Sequence, residues 1–454
     1  MKRLRPLLLL LPLLAACAPG GGSDTAFQVR LHPDGPLYAG DIISFEIIPP
    51  ADFQNEGQEA SVSLGGQELG RAAFDLYGIG QRLQATLWWA WDTHDMAPGD
   101  HSLTFTILPE GYTWEETVRL LPSGRMPQVE AMAEWVTTET DCCSIHYISG
   151  TEAERDLGTL TQMVERLVQE AEDDLDSSFQ GRPSITFLPR VLGQGGFASD
   201  GIYISYLDGN YAASSIELTL QHEIIHILDA QLGGGDRPPL FLEGLAVHLC
   251  GGHYQPESIL TLAAALPGLD LYIPLSDLAQ DFYFHQHEAG YLEAAALVGF
   301  MIQRFGWDEF DSFYRDIHSG GDGGMTGAID SALRSHFNLG LQELEQGFLE
   351  HLNSQDHSAE VSRELSMTVA YYDSMRRYQE LLDPSAYFLS AWMPLTDAMQ
   401  ERGIEADYLR HPSGIWNQAV VTLLLNALDD LMEGNYMRVE RDVKFIETVL
   451  DFMQ

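Results

Sequence analysis

Lysine is all but missing from this chain. Of 454 residues only Lys2 and Lys444 are lysine, and 24 basic residues face 67 acidic ones, for a net charge of −43. A surface of that sign repels nucleic acid and anionic lipid headgroups, so neither is an expected partner. Cysteine is scarce too: Cys17, Cys142, Cys143 and Cys250 are the full set of 4. No apolar run reaches the ~20 residues that a membrane-spanning helix needs. No internal repeat is found. The chain is nonetheless long enough, with 45% hydrophobic residues, for two or three domains that each bury a core.

What is present starts with a processing signal. Lys2, Arg3 and Arg5 precede a short apolar run from Leu7 to Leu14, followed by Ala15-Ala16-Cys17. That order reads as a secretory signal peptide over residues 1–16. The residues Leu14 to Cys17 resemble a bacterial lipobox, which implies cleavage before Cys17 and a lipid on its sulfur. The expected location is outside the cytoplasm, facing the exterior or the periplasm, with the membrane as partner through that lipid. Residues 17–25, with the string APGGGSD, read as a flexible tether. Three cysteines then remain, and an odd number cannot all pair within one chain. Either Cys250 bonds to one of the adjacent Cys142 and Cys143, which export permits, or the thiols are free and buried.

Three zones follow. Residues 26–122 alternate with period two, as in Ile43-x-Phe45-x-Ile47 and Leu103-x-Phe105-x-Ile107, between turns such as APGD. Such strands predict an immunoglobulin-like β-sandwich, whose expected role is a spacer that lifts the next domain off the membrane. Residues 126–355 mix strands (SIHYIS, SITFLP, GIYISYL) with helices, predicting an α+β domain. Residues 358–454 read as an all-helical extension with no chemistry of its own.

The chemistry concentrates in SIELTLQHEIIHILDAQ, residues 215–231. His222 and His226 are four apart, about 6 Å along one face of a helix, so both imidazoles can reach one ion. Glu223 lies about 100° round the helix, where it can take a proton from an attacking water. The pattern His-Glu-x-x-His thus supplies two zinc ligands and a base. Beyond a Gly/Pro loop, Glu243 sits among Phe241, Leu242, Leu245, Ala246 and Val247. A carboxylate on so apolar a helix needs a cationic partner: a shared zinc ion, or an arginine such as Arg237. His248 and Cys250 lie over a turn further on and are weaker ligand candidates. His253, His285 and His287 read as loop or surface histidines.

His222-Glu223-x-x-His226 followed by Glu243-Gly244-x-Ala246 resembles the gluzincin metallopeptidases, in the peptidase MA-like branch related to thermolysin and the zinc aminopeptidases. The resemblance extends to GGFASDGIYIS upstream and to YLEAAALVGFMIQRFG downstream. It implies a zincin (thermolysin-like) domain over 126–355, with one Zn2+ held by His222, His226 and Glu243. It further implies Glu223 as general base, Tyr291 as oxyanion donor, and Ile202, Tyr203 and Ile204 as the strand along which a peptide lies; were Tyr291 only structural, the donor would be sought at Tyr283, His285 or His287. The loop between the zinc helices is shorter than in thermolysin, and no Gly-x-Met-Glu-Asn motif is present to hold a substrate amine. The expected function is a lipid-anchored zinc endopeptidase acting on a peptide or protein substrate. The rivals are a zinc hydrolase of another amide or ester, and a non-catalytic envelope-binding lipoprotein on the same scaffold.

Overall fold

The computed structural model describes residues 27–454 except 55–56, 213–214, 254, 321–322 and 390–394. The signal peptide 1–16, Cys17 and the tether 17–25 lie outside the described residues.

Strands β1 (Gln28–His32), β2 (Leu37–Tyr38), β3 (Ile42–Ile48), β4 (Glu59–Leu64), β5 (Gln67–Ala73), β6 (Asp75–Tyr77), β7 (Arg82–Asp92), β8 (Gly99–Leu108) and β9 (Tyr112–Leu121) build the N-terminal region. They form two sheets, in the orders β1-β3-β7-β6 and β2-β9-β8-β4-β5. Alternation decides which side chains go inward. In β8, Leu103, Phe105 and Ile107 are buried while Thr104 and Thr106 between them are not. Phe105 meets Phe45 of the other sheet edge-on, with ring centroids 5.7 Å apart, so the two sheets share one core.

The central sheet has β10 (Trp135–Glu139), β11 (Ser144–Ile148), β12 (Ser184–Leu188), β13 (Gly196–Ala198) and β14 (Ile202–Ser205), in the order β10-β11-β12-β14-β13. Strands β11, β12 and β14 are parallel, and both edge strands are antiparallel to their neighbours. Helices α1 (Leu157–Asp174) and α2 (Ile216–Leu232) pack into the same core as Ile185, Phe187, Ile202 and Ile204. Next come α3 (Pro239–Cys250) and α4 (His287–Phe305), which share a second core with Phe310 and Phe313. The C-terminal part is helical, with α5 (Ala359–Leu382), α6 (Ile415–Met432) and α7 (Tyr436–Met453) around Tyr371, Tyr378, Leu424 and Ile446.

The N-terminal region is bonded to the rest of the chain through buried charges. Arg190, just after β12, is fully enclosed and bonds Asp34 at 3.0 Å, Asp383 at 2.6 Å and Ser385. One guanidinium therefore ties the β region, the central sheet and the helical end together. Arg410 does the same in parallel, with a two-pronged bond to Asp41 at 2.6 and 2.8 Å and a further pair to Glu130. Charges taken this far out of water persist only when each has its partner, so these contacts fix the relative placement of the regions.

Asp407 lies at this joint with Oδ1 unpartnered among the described residues. Burial, with Asp34 adding to it and His32, Arg410 and Arg190 opposing, pushes its carboxyl from 3.8 up to about 7. Across that interval the folded chain holds a proton that the unfolded chain has lost, so this group's contribution to stability falls as pH rises. Asp407→Asn should therefore raise the melting temperature at pH 8 and change it little at pH 4. Thermal unfolding at both values checks this; an equal effect at both would contradict it.

Candidate metal centre

Helix α2 starts where Ser215 caps it, its side chain accepting from the Leu218 N–H at 3.3 Å. Leu220, Ile224, Ile225 and Leu228 bury it against the sheet core, and His222, Glu223 and Asp229 are buried with them. Its C-terminal end is held by Asp229, which accepts from Arg315 at 2.9 Å, Tyr314 at 2.9 Å and Arg237 at 3.2 Å. Arg237 is thus committed to Asp229, and the reading in which it neutralises Glu243 does not hold.

Helix α3 carries Pro239 at its first turn and ends at Gly251, whose φ of 74° is left-handed. Gly244 lets it approach α4 closely: a Cβ there would lie 2.6 Å from the Ala294 carbonyl oxygen. The neighbouring Glu243 meets the histidines of α2. His222 Nε2 and His226 Nε2 are 2.8 Å apart, and Glu243 Oε2 is 3.1 Å from the first and 3.2 Å from the second. Among the described residues these three form the group of His, Cys, Asp or Glu side chains whose ligand atoms converge, all within 4.8 Å of one another.

The spacing bears directly on whether zinc fits. Tetrahedral ligands at zinc's usual ~2.0–2.1 Å stand about 3.3–3.4 Å from one another, slightly more than the separations seen here. Two imidazoles and one carboxylate are also a common catalytic donor set that leaves a position open. Electrostatics agree with a site built for positive charge. Burial drives the Glu243 carboxyl up, yet the two imidazoles overcome it and hold the group well below the usual range. Burial likewise lowers His226, but Glu243 wins and raises it to about 9. Both Nδ1 atoms are buried without a partner among the described residues. Ring packing therefore orients the imidazoles: His222 meets His226 edge-on at 4.4 Å. This departs from the usual hydrogen-bonded support of ligand histidines.

Glu223 is buried beside this triangle and faces the same cavity. Burial raises its carboxyl above the ordinary range, Glu243 adds to the shift, and the two imidazoles oppose it. A carboxyl of raised pKa is suited to taking a proton and giving it back. Tyr283 donates to Glu243 Oε1 at 2.6 Å, and the Tyr291 ring lies 6.2 Å from that of His222, lining the same cavity. The helix expected to open at Tyr291 begins at His287, one turn earlier, which puts both residues on one face.

Several expectations need correction. Ile202, Tyr203 and Ile204 do not offer a free edge: β14 is paired on both sides, and Ile202 and Ile204 are in the core. The edge is Gly196–Ala198, which lines the cavity together with Ser199. His253 lies in a loop as expected, whereas His287 opens α4, and both are half-buried against the site. His253 stacks on the Tyr291 ring with centroids 4.0 Å apart, His287 packs tilted beside both at 4.2 and 5.1 Å, and burial pushes both imidazoles well below the usual range. The i, i+4 spacing of His287 and Tyr291 was the available signal. Cys142 and Cys143 bond to each other and Cys250 is free, so neither cysteine reading held as made. Burial pushes the Cys250 thiol up, and neither it nor His248 joins the triangle. The flanking regions do reach the site: Tyr77 and Ile79 from one, Tyr372 and Arg376 from the other, line its cavity.

Set against known protein families and curated proteins, the chain has no match.

Proposed function

We propose that the protein is a zinc-dependent peptidase of gluzincin type, cutting peptide bonds with water. The observation that carries this is the convergence of His222, His226 and Glu243 at a cavity that Glu223 also lines. The fold readings belong to the same proposal. Two sheets on a common core support an immunoglobulin-like sandwich, and a His-Glu-x-x-His helix beside a mixed sheet with an antiparallel edge supports a zincin domain. The lipid anchor at Cys17 and the exported location rest on the sequence; no helix of the described residues is long and apolar enough to cross a membrane.

His222, His226 and Glu243 would hold the ion. When bound there, zinc supplies a Lewis acid that polarises a carbonyl and makes water acidic enough to attack near neutral pH. The remaining steps fall to side chains. The open edge at Gly196–Ala198 aligns an extended substrate by main-chain hydrogen bonds. Glu223 accepts the proton of the attacking water and delivers it to the departing amine. A tyrosine hydroxyl donates to the oxygen on which charge grows. A binding scaffold has no need of Glu223, which weighs against the non-catalytic reading.

The two tyrosines divide these roles. Tyr283 has the short bond to Glu243 and acts by positioning that ligand; Tyr291 is the donor to the reacting oxygen. Tyr283→Phe should weaken zinc binding by about 10–100-fold, the usual loss when a ligand's supporting partner goes. Tyr291→Phe should keep its zinc and lose about 10²–10³-fold in kcat with KM little changed. Zinc titration and steady-state kinetics of both variants test the assignment; the reverse pattern would exchange the roles, and parent behaviour in both would refute them.

A further inference from the structure

The cavity beside Glu223 measures about 810 Å³, inside the roughly 300–1,000 Å³ range of pockets that enclose a small molecule. Part of its boundary comes from the far ends of the chain. The turn between β6 and β7 touches the Phe388–Leu389 segment backbone to backbone. The Gly80 N–H bonds the Leu389 carbonyl, and a Cβ on Gly80 would sit 2.6 Å from that oxygen. Beneath this contact the Phe388 ring meets His287 at 5.4 Å and Tyr283 at 6.2 Å. On its other side a Cβ on Gly193, next to the edge strand, would lie 3.3 Å from the Phe388 Cβ. Phe388 is therefore wedged between the edge-strand wall and the histidine wall.

This boundary is anchored. Pro384–Ala386, the turn leading to Phe388, is flanked and held by the Asp383 and Ser385 bonds to Arg190, and Asp34 joins the β region to the same guanidinium. Opening it would strand buried charges, which is costly. Phe388, Tyr77, Phe197 and Tyr372 give the lining an aromatic character, while the Arg376 cation at its side is already neutralised by Glu288.

Resting on the peptidase reading above, we infer that the centre takes short peptides with an aromatic or large aliphatic side chain near the scissile bond and excludes long chains. Phe388 is the residue that sets this limit. The Phe388 ring lines the cavity against His287 and Tyr283, where a long polypeptide running on past the site would have to pass it, and the Gly80–Leu389 contact beside it holds that ring in place. A short peptide, at ~3.3–3.6 Å per extended residue, fits without displacing it.

The test uses zinc-loaded full-length protein and two substrates: a short, end-blocked peptide containing one phenylalanine, and the same sequence in the middle of a long Gly/Ser-rich chain. The parent should cleave the free peptide with kcat/KM higher by about 10²-fold or more, the order of loss that misplacement at a reacting centre brings. Phe388→Ala should narrow that ratio by speeding cleavage of the embedded sequence. Equal rates on both substrates would overturn the size limit and leave the peptidase reading standing. Cleavage of neither by zinc-loaded protein would remove both. An unchanged ratio in a folded Phe388→Ala protein would overturn the role of Phe388; should that variant fail to fold, the parent's ratio alone decides.

Discussion

Glu223→Gln should keep its zinc and its thermal stability while losing about 10²–10⁴-fold in kcat, the usual contribution of a positioned acid–base group. The substitution changes one oxygen to an amide and leaves the shape of α2 intact. Stability should not suffer, because burial already raises the Glu223 carboxyl and so disfavours its charged form. Nor is Glu223 part of the ligand triangle, so metal content should match the parent. What the amide lacks is a basic site able to take a proton from water. The experiment is steady-state turnover of a short peptide alongside zinc content by elemental analysis. A variant that turns over at the parent rate would sink the role of Glu223 and return weight to a non-catalytic scaffold.

Glu243→Ala should lose zinc outright under conditions where the parent binds one ion per chain. The carboxylate is one corner of the triangle and accepts from Tyr283 at 2.6 Å, so its removal takes away a ligand and orphans a buried hydroxyl. Leaving such a group unpaired costs about 1–3 kcal/mol in stability beyond the lost metal affinity. The fall in affinity should exceed the roughly 10–100-fold that loss of a mere supporting partner brings. His248→Ala is the matched control: it lies on the same helix but outside the convergent group. Competition with a chelator of known affinity, run on both variants, reads the difference. Full zinc occupancy in Glu243→Ala would contradict the ligand assignment.

Local patterns carried much of this into view before any coordinates. The alternation of Leu103, Phe105 and Ile107 depends only on near neighbours, and that segment is strand as expected. The pair His222 and His226 was legible because four residues along a helix define one face. Glu243 was legible because a carboxylate amid apolar residues demands a partner. Contacts distant in sequence left no such trace. Nothing in the sequence near Arg190 announces that it will meet Asp34 and Asp383, 156 and 193 positions away. The same holds for Phe388, which reaches the site through a turn fixed by that arginine. The edge strand was misplaced by one because Gly196–Ala198 is too short and glycine-bearing to read as a strand, whereas Ile202–Ser205 is apolar throughout.

Diffraction from zinc-loaded crystals, measured on either side of the zinc absorption edge, bears most directly on the central point. The expected result is one anomalous peak per chain, within about 2.0–2.2 Å of His222 Nε2, His226 Nε2 and a Glu243 oxygen. A chain that takes up no zinc, or a peak elsewhere with these three side chains still bonded only to one another, would contradict the metal centre and the peptidase built on it.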